Sequence, residues 1–485
     1  MKMQAHSRSA FKQVFILLVL LIGVRPSSSF AQVLEYPGEL EWLSFVSSSL
    51  KRQPELILLE EGRNSLSFSL TVPGIYASHQ DSSLGKFTIL QAEGFAHTST
   101  IGQPDLPVIR KLIAVPTGVD VHLSYFSNNE LEINLSDLGH SDPLIPVQSC
   151  SEKCGDSIQS DTFNETVYGS QDYLSHEVVT ILDDLTIRDQ RYLLSEVRPI
   201  SYNPSDNSIK VLPQITVTFS WDDSSLPYFT DSDELISNPL LLTATDQILN
   251  PPSITGSDMP SNIGYLIITP DAFEAALSPL ISLKQSQGFT VTTAKLSQIG
   301  STNIQIKSYI QNAYDKWQIP PSYLLLVGDT DNGSLSVPAW VGEVSGMVTD
   351  LYYSTTAGDD HLPDILLGRL PARNVEQLNI MINNIIAYEA LSGNEEWIKE
   401  AAFLATGDSS NYWISELTHN TLISTSTTQF GYSGMFPSDP QNGGDKLYAY
   451  SYLANNTNVI NAINDERSLI VFSGHGNSVA WGTPG

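Results

Sequence analysis

The residues with the clearest chemical character stand near the end of the 485-residue chain. Leu469 to Phe472 is an apolar run of strand type, and it delivers one histidine, His475, between Gly474 and Gly476. An imidazole can take and return a proton near neutral pH. The flanking glycines let the backbone turn sharply and leave the ring open to a substrate. The backbone N–H of Gly476 is a candidate donor to a developing oxyanion. The bland alternative for His475 is a polar loop residue at a strand end. A general base needs a nucleophile to activate, and the chain has only two cysteines, Cys150 and Cys154, both far upstream.

Those two cysteines form Cys-Ser-Glu-Lys-Cys. In an exported chain this spacing suits a small disulfide loop. A metal site would need two further ligands nearby, and a redox pair would favour CxxC. A second group of candidates is oxygen-rich. Asp329 and Asp331 share one loop, and Asp359, Asp360 and Asp364 share another. Such loops can hold structural calcium, although neither has EF-hand spacing, and a solvated acidic loop fits as well. The chemistry itself requires no cofactor.

The elements that must position these residues change character along the chain. From about Leu34 to Trp221, short alternating runs such as Leu66–Val72, Val119–Tyr125 and Ile215–Trp221 are broken by turn residues. This pattern predicts an all-β sandwich or barrel. Residues 222–262 are rich in acid, proline and serine and predict an exposed connector. From Ile263 strands alternate with helices. Predicted strands are Tyr265–Thr269, Phe289–Ala294, Tyr323–Val327, Ile365–Leu367, Ala401–Thr406 and Leu469–Phe472. Predicted helices are Asp271–Gln287, Asn303–Trp317, Val375–Leu391 and Tyr412–Leu422. That alternation implies an open parallel sheet covered by helices on both faces, with function at the carboxyl ends of its strands. The fold class is α+β multidomain.

Residues 1–31 read as a signal peptide. Lys2, Arg8 and Lys12 precede an apolar Val14–Val24, and Ser29-Phe30-Ala31 offers a cleavage signal. An uncleaved N-terminal anchor is the alternative. No later stretch suits a membrane span, so the mature chain is expected to be secreted, extracellular or on the cell surface. The formal net charge is -29, from 53 acidic and 24 basic residues. That balance argues against nucleic acid and anionic membranes as partners.

Several segments resemble the gingipain family of cysteine peptidases, family C25. They are Leu325-Leu326-Val327-Gly328-Asp329, Thr349–Tyr353, Asp359–Pro371, and Phe472–Ser478 with Trp481. Upstream, Gly102–Val108, Ile113–Pro116 and Tyr202-Asn203-Pro204 resemble the family's propeptide. The resemblance implies a caspase-like α/β domain over residues 263–485 and a propeptide-like domain over 32–221. It implies a Cys–His mechanism on protein or peptide substrates, with His475 as general base and acid. It also implies a carboxylate that orients the imidazole, and Asp364 matches that place. Family members are known to hold calcium. The family's cysteine follows the histidine by a few tens of residues, whereas only ten residues follow His475 here. The chain is therefore expected to be a fragment of a secreted peptidase precursor that lacks its nucleophile. The rival reading is a secreted, non-catalytic pseudo-peptidase that serves binding or adhesion.

One feature belongs to this sequence alone. No Lys or Arg occurs between Lys210 and Lys284. Gingipains proper cut after Arg or Lys. Either this protein has another primary specificity, or another protease cuts the connector, or the β domain stays attached.

Overall fold

The computed structural model describes residues 40–46, 53–148, 162–222, 248–251 and 263–483, apart from 83, 93, 175, 189, 332, 343–347, 410–411 and 477–480. The proposed signal peptide and the Cys150–Cys154 loop lie outside the described residues.

The N-terminal region is built from antiparallel strands. Its main ones are β1 (Glu41–Ser44), β2 (Glu55–Glu61), β3 (Ser65–Thr71), β4 (Gly74–Ser82), β5 (Gly85–Gln91), β6 (Pro107–Val115), β7 (Val121–Phe126), β8 (Leu131–Asn134), β9 (Val179–Ile187), β10 (Gln190–Val197), β11 (Ile200–Asn203), β12 (Ser208–Val211) and β13 (Gln214–Trp221). They form small sheets with the orders β1-β4-β5, β2-β3-β13-β7, β9-β10-β6 and β11-β12-β8. Strand β13 shows why alternation decides the structure. Ile215, Val217, Phe219 and Trp221 are buried, while the residues between them are not. They meet Leu66, Phe68 and Leu70 of β3 in one core. Burying each such side chain contributes about 1.5–3 kcal/mol. The indole N–H of Trp221 donates to the Arg63 carbonyl at 2.7 Å, so its burial leaves no orphaned donor.

The C-terminal region is α/β. Strands β14 (Ile263–Thr269), β15 (Phe289–Lys295), β16 (Pro321–Val327) and β17 (Leu366–Leu370) make a parallel sheet of order β15-β14-β16-β17. One face, with Leu266, Ile268, Leu324 and Leu326, packs on Ile306, Ile310 and Ala313 of helix α1 (Asn303–Lys316). The other face, with Ile267, Leu325 and Val327, packs on Leu378 and Ile382 of α2 (Val375–Glu389). Residues buried on both faces explain why these strands read as unbroken apolar runs. A capping box between Thr302 and Gln305 starts α1 where the sequence places its beginning.

A second parallel sheet follows, of order β19-β18-β20, from β18 (Ala401–Ala405), β19 (Asp445–Tyr448) and β20 (Leu469–Ser473). Helix α3 (Tyr412–Leu422) leads into Ile423, which packs on one face. Helix α4 (Asn456–Asn464) packs on the other through Val459 and Ala462. The single sheet expected from the alternation is thus two sheets among the described residues. Strand β19 and helix α4 were not anticipated. Strand β19 opens with Asp445, 1% exposed and paired to Arg467, so it lacks a clean apolar signature.

The connector also departs from expectation at one point. Ile248 and Asn250 are buried, and Ile248 bridges Leu112 of β6. The Asn250 amide receives the Ala114 N–H at 3.0 Å and donates to the Ala114 carbonyl at 3.1 Å. Residues 248–250 therefore line the β6 edge and are not an exposed tether. The side chain of Asn250 replaces a strand's backbone there, which composition cannot reveal.

Candidate active site

Parallel pairing of β18 with β20 sets the site. The register places Ala405 opposite Ser473, and the Thr406 N–H donates to the Ser473 carbonyl at 2.9 Å. Beyond that pair the two chains leave the sheet side by side. One continues as Thr406-Gly407-Asp408 and the other as Gly474-His475-Gly476. Both lie at carboxyl ends, where parallel sheets gather function.

The histidine loop is tightly folded. A Cβ on Gly474 would lie 2.8 Å from Phe472 Cζ and 3.3 Å from Thr406 Cβ, so any side chain there would force that ring to shift. Trp481 returns to stack on Phe472, with centroids 5.1 Å apart and planes at 10°. The Gly482 N–H donates to the His475 carbonyl at 2.5 Å. Gly476 forms an isolated antiparallel bridge with Trp481. These contacts hold Gly474–Gly476 in place while the imidazole stays 62% exposed.

His475 Nε2 lies 3.8 Å from Asp408 Oδ2. That exceeds a hydrogen bond, yet a small rotation of either side chain would close it. Catalytic hydrogen bonds are often long before substrate binds. The Asp408 backbone is held at both ends, since its N–H donates to Thr406 Oγ1 at 3.2 Å and its carbonyl accepts from Tyr412 N at 2.8 Å. A carboxylate facing one imidazole nitrogen selects the tautomer and stabilises the imidazolium, leaving the other nitrogen to exchange protons.

Beside Asp408 the rim is aromatic, because Tyr412 stacks on Tyr450 with centroids 3.5 Å apart. The buried carboxylate of Glu416 accepts from Ser451 N at 3.1 Å and Ser451 Oγ at 2.5 Å, which fastens α3 to the loop after β19. His419, on the same helix, is fully buried between Phe403 and Tyr448, and burial lowers its pKa to about 4.

Asp364 does not orient His475. It is fully buried just before β17, at the amino edge of the first sheet, whereas His475 follows the carboxyl end of β20. Its Oδ1 accepts from Arg188 N at 2.7 Å, and its Oδ2 accepts from Thr356 N at 2.5 Å and Ala357 N at 2.7 Å. Burial pushes its pKa up. The carboxylate that the structure brings to the imidazole is Asp408, which sequence reasoning missed. The signal is local, since Ala401–Thr406 has the apolar pattern of a strand and Gly407-Asp408 directly follows it.

The four aspartates considered for calcium do not converge. Arg373 Nε lies 2.5 Å from Asp329 Oδ2 and 3.5 Å from Asp331 Oδ2. Its guanidinium holds the Asp329 carboxyl below the usual range. Asp360 accepts from Thr186 N at 2.8 Å and Leu362 N at 2.7 Å, and Asp359 is exposed. Among the described residues no group of three or more His, Cys, Asp or Glu could hold a metal ion. An arginine and backbone N–H groups already use oxygens of Asp329, Asp331 and Asp360, which leaves no shared oxygen cage of the kind calcium takes.

The described residues thus form an α/β region with a histidine and a carboxylate at adjoining carboxyl ends of one parallel sheet, preceded in the chain by an antiparallel β region. Residues 258–485 match the model of peptidase family C25, and residues 47–238 match that of the C25 propeptide. The chain belongs to the C25 peptidase family. It is 26% identical over 419 residues to Lys-gingipain of Porphyromonas gingivalis, covering 82% of this chain and 23% of that protein. It is 23% identical over 475 residues to gingipain R2 of the same organism, covering 94% of this chain and 60% of that protein. The chain thus spans less than two thirds of the length of each of these relatives. A structure solved for the zymogenic latency of gingipain K from P. gingivalis covers 38% of this chain and 98% of its own, at 21% identity and a TM-score of 0.33. Among the described residues no helix is long and apolar enough to cross a membrane.

Proposed function

We propose that the chain is part of an exported cysteine endopeptidase precursor in which His475 is the general base and acid and Asp408 orients it. The observation that carries this reading is the placement of His475 Nε2 3.8 Å from Asp408 Oδ2 at adjoining strand ends, within a C25-family domain. In such a pair the imidazole takes the proton of a thiol, and the thiolate attacks the scissile carbonyl. The imidazolium then returns that proton to the leaving amine. Residues 263–485 contain no cysteine, so the thiolate would come from residues beyond Gly485. The β domain serves as the propeptide, and residues 1–31 direct export.

The rival reading is a pseudo-peptidase that binds without cutting. Expressing the reading frame past Gly485 separates the two. Thiol-dependent peptide hydrolysis abolished by His475→Ala supports the peptidase. A complete frame with no cysteine after His475, or hydrolysis indifferent to that substitution, overturns it.

A further inference from the structure

The hairpin of β9 and β10 reaches out of the β domain and ends at Arg188. Arg188 has φ +56°, a left-handed conformation that residues other than glycine seldom adopt. It is also 9% exposed, unusual for an arginine at a hairpin tip. Its partners explain both facts, and all of them belong to the α/β domain. The backbone N–H donates to Asp364 Oδ1 at 2.7 Å. Nη1 donates to Ser322 Oγ at 3.1 Å and approaches the Asp364 carbonyl at 3.5 Å. The guanidinium sits 5.6 Å from the centre of the Tyr314 ring, in cation–π range.

Around this plug the contact continues. Thr186 N–H donates to Asp360 Oδ2 at 2.8 Å. Leu362 enters a small apolar cluster with Ala114, Ile187, Tyr192 and Ile248 of the other side. Gly358, at φ +71°, passes so close that a Cβ there would lie 3.0 Å from Thr186 Cβ. Two of the aspartates singled out from the sequence, Asp360 and Asp364, thus receive backbone donors from the hairpin.

We propose that the pocket of Tyr314, Ser322 and Asp364 is a recognition socket for an arginine-tipped β-turn, and that its occupant is this chain's own Arg188 hairpin. The socket anchors the β domain without contributing to the chemistry. Ser322 is the second residue of β16 and Asp364 precedes β17, so both lie at the amino edge of their sheet, whereas His475 and Asp408 lie at carboxyl ends of the other sheet. Attachment of the β domain and the state of the histidine site are therefore separable. The proposal rests on the propeptide reading only for the biological meaning of attachment.

The test uses the whole chain with a sequence-specific protease site inserted between Thr255 and Gly256. Cutting there leaves Ile248–Asn250 with the β domain and leaves the socket region to hold the pieces. Gel filtration and a binding titration then compare variants. The nicked parent should elute as one species. Arg188→Ala should weaken the complex at least about thirtyfold, as truncated interface arginines do. Arg188→Lys, which keeps the charge but loses the planar donor fork, should weaken it about three- to tenfold. Ser322→Ala approaches the contact from the other side and serves if Arg188→Ala does not fold, and it should weaken the complex at least about threefold. Separation of the nicked parent, or affinities of the variants within about twofold of the parent, overturns the proposal. The readout is binding, so a failure of the peptidase reading leaves it unchanged.

Discussion

Arg467 stands two residues before the strand that carries His475, and its loss should be felt throughout that half of the domain. Its Nε lies 2.8 Å from Asp445 Oδ2, with side-chain exposures of 2% and 1%. Oδ1 of the same aspartate receives the N–H groups of Met435 and Phe436, the latter at 2.8 Å. Nη1 of Arg467 donates to the Asp465 carbonyl at 2.9 Å. The pair therefore joins the start of β19 to the approach of β20 across β18. Arg467→Met keeps much of the volume and removes the charge. The aspartate then stays buried with only two neutral donors. Removing one partner of a buried pair costs about 3–5 kcal/mol. For a domain of this size that lowers the melting temperature by roughly 6–20 °C. Asp445→Asn can keep the two backbone bonds but turns an amide donor toward Nε, leaving the guanidinium with only the longer Glu400 carboxylate contact, 3.8 Å from Nη1. The double variant carries neither charge, so its cost should fall short of the sum by at least about 2 kcal/mol. Calorimetry on the full chain measures all three. A loss below about 1 kcal/mol for Arg467→Met, or strict additivity, would refute the argument that buried charge pairing holds this sheet together.

Three further outcomes are expected. His419 has a folded-state pKa of about 4 against an ordinary 6.5. The unfolded chain therefore takes up its proton first, and the stability from neutral His419, complete above pH 6.5, is lost as pH falls toward 4, by about 3 kcal/mol in all. His419→Leu should flatten that part of a denaturant-derived stability profile, and an unchanged profile would refute the assignment. Gly474→Ala forces a Cβ against the Phe472 ring, so about 1–3 kcal/mol of stability should be lost, read as a shift in the urea midpoint. In a protein extended past Gly485, Asp408→Asn should lower kcat about 10–100-fold with little change in KM, while Asp364→Asn should leave kcat within about threefold. Equal losses from both would restore Asp364 to the catalytic machinery.

The fold was legible where local pattern and tertiary role agree. Strands buried on both faces, such as Tyr323–Val327, read as apolar runs, and helices with caps, such as Asn303–Lys316, began where the sequence says they should. It was illegible where one distant partner supplies the reason for an element. Asp445 begins a strand because Arg467 neutralises it, and Asn250 lines a sheet edge because Ala114 offers a free backbone pair. Neither partner is near in sequence. His475 could be singled out because its glycines and preceding strand are local. Which carboxylate faces it depends on the register between β18 and β20, a non-local fact.

The exchange of Asp408 for Asp364 follows from strand polarity. A parallel strand has one functional end, and a residue before the strand is separated from that end by the strand's full length. Strand β17 has five residues, which at about 3.3 Å per residue is roughly 16 Å. A carboxylate at the entrance of such a strand is a strand's length from the carboxyl end of its own sheet, and His475 follows a strand of the other sheet. Asp364 precedes its strand, while Asp408 and His475 follow theirs. The same polarity gives Asp364 a different task. At the amino edge it meets the hairpin of the β domain, and its buried oxygens receive that hairpin's tip and the Thr356–Ala357 turn together. A motif that places an acid near a strand in sequence says nothing about chemistry until the direction of the strand is known.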